Sequence, residues 1–205
     1  MARQLAESLG AYPTGNLCNA HAAVIAMHAR IKPLFPGARV AGPARTARIT
    51  AGQNAAIHQA VHAAQPGEVL VVDGGASRAY GPFGDILASA CLQRRIAGLV
   101  IDSTVRDSEE IAALGFSVFC LGRHPAATAK TEPGEVDITI TCGGTRVKPG
   151  DFVVGDADGV VVIPKRLAAA VAESVRAVAA REQSILAQIK AGQTTFEIFG
   201  LNKPR

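Results

Sequence analysis

Apolar residues recur along this chain in two rhythms, and the alternation between them outlines the fold. The runs at 69–73 (VLVVD), 98–102 (GLVID) and 116–122 (FSVFCLG) are apolar at nearly every position. Short, Val-rich runs of this kind predict strands covered on both faces. Between them the period lengthens. Residues 54–68 place Ile57, Val61 and Ala64 on one face and stop at the turn signal Pro66-Gly67, which predicts an amphipathic helix. A glycine-bearing loop then leads to a helix from Asp85 to about Arg95, and a loop at 103–107 (STVRD) leads to a short helix, SEEIAAL. Strand, helix, strand, helix, strand with short links predicts a parallel sheet with right-handed crossovers.

The flanks read differently. Residues 19–29 predict a helix, and 33–50 an extended stretch interrupted by prolines. From 135 to 164 several short β runs are separated by turns at 142–144, 149–150 and 156–159, the pattern of antiparallel sheet. The match of PGDFVVGD to the earlier PGEVLVVD reflects recurring turn-and-strand chemistry and no domain repeat. An Ala-rich helix is expected over about 165–191, followed by a tail. No low-complexity linker divides the chain, so 1–205 is expected to form one α/β domain.

Composition narrows the function classes. Aromatics are 4% of the residues and Trp is absent, so the core must be built from Ala, Val, Ile and Leu. The net charge of +4 is spread without a basic run, which disfavours nucleic acid as a partner despite a pI near 9.1. Four cysteines show no CxxC pair and no metal-ligand spacing, and Cys91 and Cys120 sit in apolar runs as expected of buried thiols. The N-terminus lacks a signal-peptide core, and no window approaches the ~20 apolar residues of a membrane span. A reducing cytoplasm is the expected compartment.

Ligands of a parallel sheet collect beyond the carboxyl ends of its strands. Two loops there carry charge: one delivers Gly84, Asp85, Ile86 and Leu87 as the first turn of a helix, the other Arg106 and Asp107. Free N–H groups at a helix start suit a carboxylate, and glycine allows close approach. An Arg fork matches a carboxylate in two places, and Mg²⁺ needs only one or two protein carboxylates beside water and substrate. The set therefore fits a metal-chelated 2-oxo acid. The bland alternative is a capping Asp85 and a solvated Arg106-Asp107 pair.

The segment FGDILASACLQRRIAGLVIDSTVRDSEEIAALGFSVF, with AGPARTA, PGEVLVVDGG, VKPGDFVVGDADGVVVIP and the REQSILAQIKAG…FGL end, resembles the 4-hydroxy-4-methyl-2-oxoglutarate aldolase family. That family includes the regulator of ribonuclease E activity. The resemblance spans roughly 41–201. It departs at Ser103, where the family often has Gly, and in AYPTGN near the N-terminus. It implies a layered αββα fold assembled as trimers or hexamers. It also implies a carboxylate held by the amides of Gly84 to Leu87 with Arg106, and direct ligation of Mg²⁺, Mn²⁺ or another divalent metal by Asp107. Asp85 would hold a metal-shell water serving as base. A looser match puts Glu182 near a neighbouring subunit's site. The implied reaction is cleavage of 4-hydroxy-2-oxo dicarboxylic acids to pyruvate, with oxaloacetate decarboxylation alongside. The other implied role is binding and inhibition of ribonuclease E.

Two further motifs carry less. His58 and His62 share a helix face, but Gln59 stands where a zinc protease has its Glu. GDADG at 155–159 lacks the downstream Glu of a calcium loop and reads as a hairpin turn. Finally, the apolar stripe Leu167, Val171, Val175, Val178, Ile185 and Ile189, with Phe196, Ile198, Phe199 and Leu201 beyond it, predicts a contact between copies of the chain.

Overall fold

The computed structural model describes residues 2–201. Its helices are α1 (Ala2–Gly10), α2 (Thr14–Ala20), α3 (Ala55–Ala63), α4 (Asp85–Gln93), α5 (Ser108–Ala113), α6 (Ala168–Lys190) and α7 (Thr195–Ile198). The first six strands are β1 (Ile25–Ala26), β2 (Lys32–Pro33), β3 (Val40–Arg48), β4 (Val69–Ser77), β5 (Gly98–Val105) and β6 (Val118–Cys120). The rest are β7 (Gly122–Arg123), β8 (Glu135–Val136), β9 (Ile140–Cys142), β10 (Thr145–Val147), β11 (Phe152–Gly155) and β12 (Val160–Ile163).

Strand β3 holds the architecture together by changing partner midway. Its first half, through Pro43, pairs antiparallel with β11, and its second half, from Ala44, pairs parallel with β4. Pro43 cannot donate to a ladder, and it falls where the partner changes. A Cβ on Gly42 would lie 2.3 Å from Gly67 O, so only glycine fits the bend. The main sheet order is β1-β12-β11-β3-β4-β5-β6-β2, with β3 to β6 parallel.

Period-two alternation then builds three apolar layers. Leu70, Val72, Leu99 and Ile101 face α3, α4 and α5. Val69, Val71 and Val100 turn the other way and meet Val153, Val160 and Val162 of the antiparallel part. Phe152, Val154, Val161 and Ile163 on its outer face pack on α1, α2 and the first half of α6. Helices, parallel sheet, antiparallel sheet and helices thus stack as the αββα arrangement expected from the sequence, with the long C-terminal helix in place.

Three local expectations change. The helix expected over 19–29 is absent: α2 ends at Ala20, and Ile25 and Ala26 pair with Val162 and Val161. Val24 and Met27, three apart, resemble a helix face, but they enter different layers on opposite sides of the sheet. The loop expected at 103–107 begins later, because Ser103, Thr104 and Val105 continue β5 in full burial. Their hydroxyls are satisfied there: Ser103 Oγ donates to Ser77 O (2.9 Å) and Thr104 Oγ1 to Tyr80 O (2.5 Å). The tail after α6 folds one turn, α7, under a Thr194–Glu197 capping box.

Burial along α6 is uneven. Ala168, Val171, Ala172 and Val175 are buried, whereas nothing from Arg176 to the helix end is. That stretch projects roughly 22 Å at 1.5 Å per residue. Leu186, Ile189, Phe196, Phe199 and Leu201 are exposed along or beyond it; Ile198 is half-buried. Residues 202–205, the end of the tail expected after this helix, lie outside the described residues. Cys91, Cys120 and Cys142 are buried free thiols and Cys18 is exposed. Burial pushes the Cys91 thiol up to about 12. No helix among the described residues is long and apolar enough to cross a membrane.

Candidate active site

Phe83 fixes the distance between the two charged loops. Its ring is fully buried and stacks on Phe116 with centroids 5.9 Å apart, and truncating such a ring to Ala costs about 3–5 kcal/mol. Its carbonyl accepts from Arg106 N (2.9 Å). One residue thus ties the start of α4 to the end of β5. Gly81 closes the approach from the side: a Cβ there would fall 2.8 Å from Arg106 Cβ and 2.5 Å from His124 O.

At the centre, Gly84 caps α4 and faces Arg106 and Asp107. A Cβ on Gly84 would sit 2.2 Å from Asp107 Oδ2 and 3.1 Å from Arg106 Nε. Arg106 Nε lies 3.2 Å from Asp107 Oδ2, with each side chain about one-third exposed. Asp85 N donates to the same Asp107 oxygen over 3.4 Å. Asp107 adopts left-handed backbone angles (φ 52°, ψ 43°) at the N-cap of α5, yet its carboxylate does not cap that helix. A non-glycine residue in this region carries a conformational cost. Here the cost turns the carboxylate away from its own helix and toward Gly84.

The amide cradle is partly engaged. Ile86 N donates to Asp85 Oδ1 at 2.7 Å, while the first intrahelical bond is Ala88 N to Gly84 O. Leu87 N–H therefore has no acceptor among the described residues. The Ile86 side chain is 71% exposed, so only its backbone is suited to a small anion.

A cavity of about 240 Å³ opens beside these groups, lined by Gly84, Asp85, Ile86, Leu87 and Arg106. It is smaller than pockets for drug-sized ligands, which suits a small acid. Asp107 lines an adjoining cleft of about 290 Å³, with Arg106, Arg123 and His124, and its Oδ2 reaches the Asp85 amide at the edge of the first. A larger cleft, about 640 Å³, runs along α1. Arg3 and Glu7 there pair with each other, exposed, and nothing converges on a ligand.

The residues fit a divalent cation of the magnesium type. No cluster of three or more His, Cys, Asp or Glu with metal-binding geometry occurs among the described residues. Asp107, with Asp85 near it, instead offers the one or two carboxylates that Mg²⁺ takes beside water and substrate. His58 lines the cavity while His62 is exposed, so the pair does not form a zinc site. Asp156 of GDADG is structural: it accepts from Thr14 N and Oγ1, both at 2.8 Å, and from Asp158 N. Glu182 accepts from Asn16 Nδ2 of its own chain (2.7 Å). Ser103 is spent on the β4–β5 contact, where a Cβ on Gly74 would come within 2.7 Å of its own. The sequence departure there does not reach the cavity.

Sequence reasoning missed Asn54, Thr128 and Lys130, which line the same cavity. No periodicity marks them, since two lie on an irregular segment brought in by long-range bonds.

Fold and site together define an αββα protein with a small charged cleft at the carboxyl edge of its parallel strands. The chain belongs to the RraA-like family (Aldolase/RraA), whose model matches residues 14–162. A protein of Halalkalibacterium halodurans, provisionally named 4-hydroxy-4-methyl-2-oxoglutarate aldolase, is 40% identical over 75% of this chain and 73% of its own length. Among solved structures, the RNA-processing inhibitor RraA from Thermus thermophilis is 32% identical. It covers 75% of this chain and 93% of its own, with a TM-score of 0.70. An uncharacterised Pseudomonas syringae protein is 26% identical over 95% of this chain and 92% of its own, with a TM-score of 0.84.

Proposed function

We propose that this protein is a divalent-metal-dependent carbon–carbon lyase. Its substrates would be 4-hydroxy-2-oxo dicarboxylic acids such as 4-hydroxy-4-methyl-2-oxoglutarate, cleaved to pyruvate, with oxaloacetate decarboxylation as a side activity. The observation that carries this reading is the Asp107 carboxylate, held by a left-handed backbone beside Arg106 and against Gly84. Relatives with aldolase names support it.

The chain's own groups divide the work. Arg106 receives the substrate's C1 carboxylate through its fork, helped by the free Leu87 amide and, once Asp85 turns away, by the Ile86 amide. Asp107 holds the cation, with Mg²⁺ or Mn²⁺ as the expected metals. When bound, that cation supplies Lewis acidity to the 2-oxo oxygen. Asp85, half-buried at the cavity rim, accepts the C4-hydroxyl proton directly or through water. The C3–C4 bond then breaks, its electron pair delocalises onto the 2-oxo oxygen, and protonation at C3 completes pyruvate. Loss of CO₂ from oxaloacetate leaves the same three-carbon fragment, so the same groups serve both reactions.

Pyruvate release from 4-hydroxy-4-methyl-2-oxoglutarate, followed through lactate dehydrogenase, is expected to require Mg²⁺ and stop with a chelator. Turnover of neither this substrate nor oxaloacetate refutes the reading. The second reading is binding and inhibition of ribonuclease E, supported by the likeness to the Thermus inhibitor. Metal-independent capture of ribonuclease E without turnover would favour it. A reducing cytoplasm is the compartment proposed for either role.

Substituting Ala for Gly84 probes the arrangement without removing a functional group. The backbone of Gly84 (φ −142°) is open to any residue, so the fold should survive. The new methyl displaces the Asp107 carboxylate, and a shift of about 1 Å lowers kcat/KM about 10²-fold. An unaltered rate would show that Asp107 does not act from this position.

Assembly belongs to the same proposal. The exposed apolar residues of the projecting α6–α7 arm point to a closed homo-oligomer, a trimer or dimer of trimers. Light scattering at micromolar concentration is expected to give several times 21.1 kDa; a monomer peak rejects it.

A further inference from the structure

One wall of the cavity is built with more care than a surface loop requires. The segment 126–132, which supplies Ala127, Thr128 and Lys130 to the lining, is pinned at both ends. Gly81 N donates to Ala126 O (2.8 Å), and Asn54 N donates to Ala129 O (3.0 Å). Ala129 N returns to Gly52 O (2.8 Å). Gln53 Oε1 accepts from the amides of Thr131 (3.0 Å) and Glu132 (3.3 Å). These bonds carry Thr128 and Lys130 to the mouth of the cavity, beside His58 on the first turns of α3.

Three features of that wall are not fully used inside the fold. Lys130 is exposed and makes no ion pair among the described residues. Asn54 is buried at the N-cap of α3 but does not cap it. Its Nδ2 donates to Pro82 O (2.9 Å), while Oδ1 is buried with no hydrogen-bond partner among the described residues. His58 is half-buried, and burial followed by the Lys130 charge holds its imidazole below the ordinary value. The ring stands as a hydrogen-bonding group beside a cation. The charged and titratable groups lining the cavity are His58, Asp85, Arg106 and Lys130.

Two cationic side chains, Arg106 from the end of β5 and Lys130 from the segment 126–132, line one small cavity and match a ligand with two anionic groups. We propose that Lys130 and His58 form the subsite for the distal carboxylate of the substrate, making the cavity selective for dicarboxylic over monocarboxylic 2-oxo acids. This rests on the lyase reading, in which Arg106 takes the proximal carboxylate. Lys130 supplies the charge, and His58 donates one ring N–H to the same carboxylate. Asn54, through Pro82, holds the wall at a fixed distance from Gly84.

The probes are 2-oxoglutarate, which keeps both carboxylates but lacks the 4-hydroxyl needed for cleavage, and 2-oxopentanoate, which lacks the distal carboxylate. Binding to the full chain with Mg²⁺ is measured by titration calorimetry. Wild-type protein is expected to hold 2-oxoglutarate about tenfold or more tighter, the range of a hydrogen bond to a charged group. Lys130→Met should reduce that preference about tenfold and leave 2-oxopentanoate and oxalate binding unchanged; His58→Leu should reduce it by a smaller factor. Lys130 is exposed, so its replacement does not endanger the fold.

Equal binding of the two acids by wild type, or an unchanged preference in both variants, overturns the subsite. Pyruvate release from wild type would in that case leave the lyase reading standing. A Lys130-dependent preference in protein that releases no pyruvate would do the reverse.

Discussion

Asparagine in place of Asp107 is expected to lower kcat/KM for pyruvate release about 10³-fold or more at saturating Mg²⁺, about 4 kcal/mol at 1.36 kcal/mol per tenfold. Asparagine is the informative choice because Asp107 sits at φ 52°, a region Asn tolerates and Ala does not. The shape and the backbone survive; the negative charge does not. Stability should hardly move, since the Asp107–Arg106 pair is about one-third exposed on both sides. Such pairs contribute roughly 0–1 kcal/mol. A large fall in activity with a melting temperature within a few degrees of wild type is therefore the expected result. Alanine should also abolish turnover, but with an added cost in the left-handed region. A near-wild-type rate in the Asn variant would mean that the cation, if used, is held elsewhere.

The fold was legible in the sequence wherever one periodicity ruled a whole element. The buried strands at 69–73 and 98–102 and the α3 face of Ile57 and Val61 are found where the pattern places them. The pattern failed where the environment on the two sides of the chain differs. Val24 and Met27 are spaced as on a helix but are buried in different layers. Ser103 and Thr104 look like loop residues, yet their hydroxyls find carbonyls and the strand runs on. Of the candidate site, the sequence marked Gly84 to Leu87, Arg106 and Asp107, because sheet topology brings those two loops to one edge and the family resemblance singles out the same residues. The left-handed turn at Asp107 and the long-range bonds that deliver Lys130 have no local signature. In the sequence His58 reads only as half of a zinc pair with His62, which Gln59 disfavours, and no local pattern brings it to the cavity.

Lysine in place of Arg106 is expected to be far from conservative, with kcat/KM lowered about 10²-fold and most of the loss in KM. The guanidinium stands where β5 ends, its backbone N–H fixed to Phe83 O and its Nε 3.2 Å from Asp107 Oδ2. With Nε turned to Asp107, the remaining nitrogens of the fork are left for a carboxylate in a flat, two-point contact. An ammonium on a flexible stem keeps the charge but loses the second contact and the fixed plane. It can also move to Asp107 and compete with the cation for the same oxygens. The decisive measurement is the affinity for oxalate with Mg²⁺, since oxalate presents the chelating carboxylate without any reaction. If Arg106 positions the proximal carboxylate, oxalate binding should weaken together with KM. Weak oxalate binding at unchanged KM, or wild-type values for both, would remove Arg106 from substrate binding and leave it a structural pin between Phe83 and Asp107.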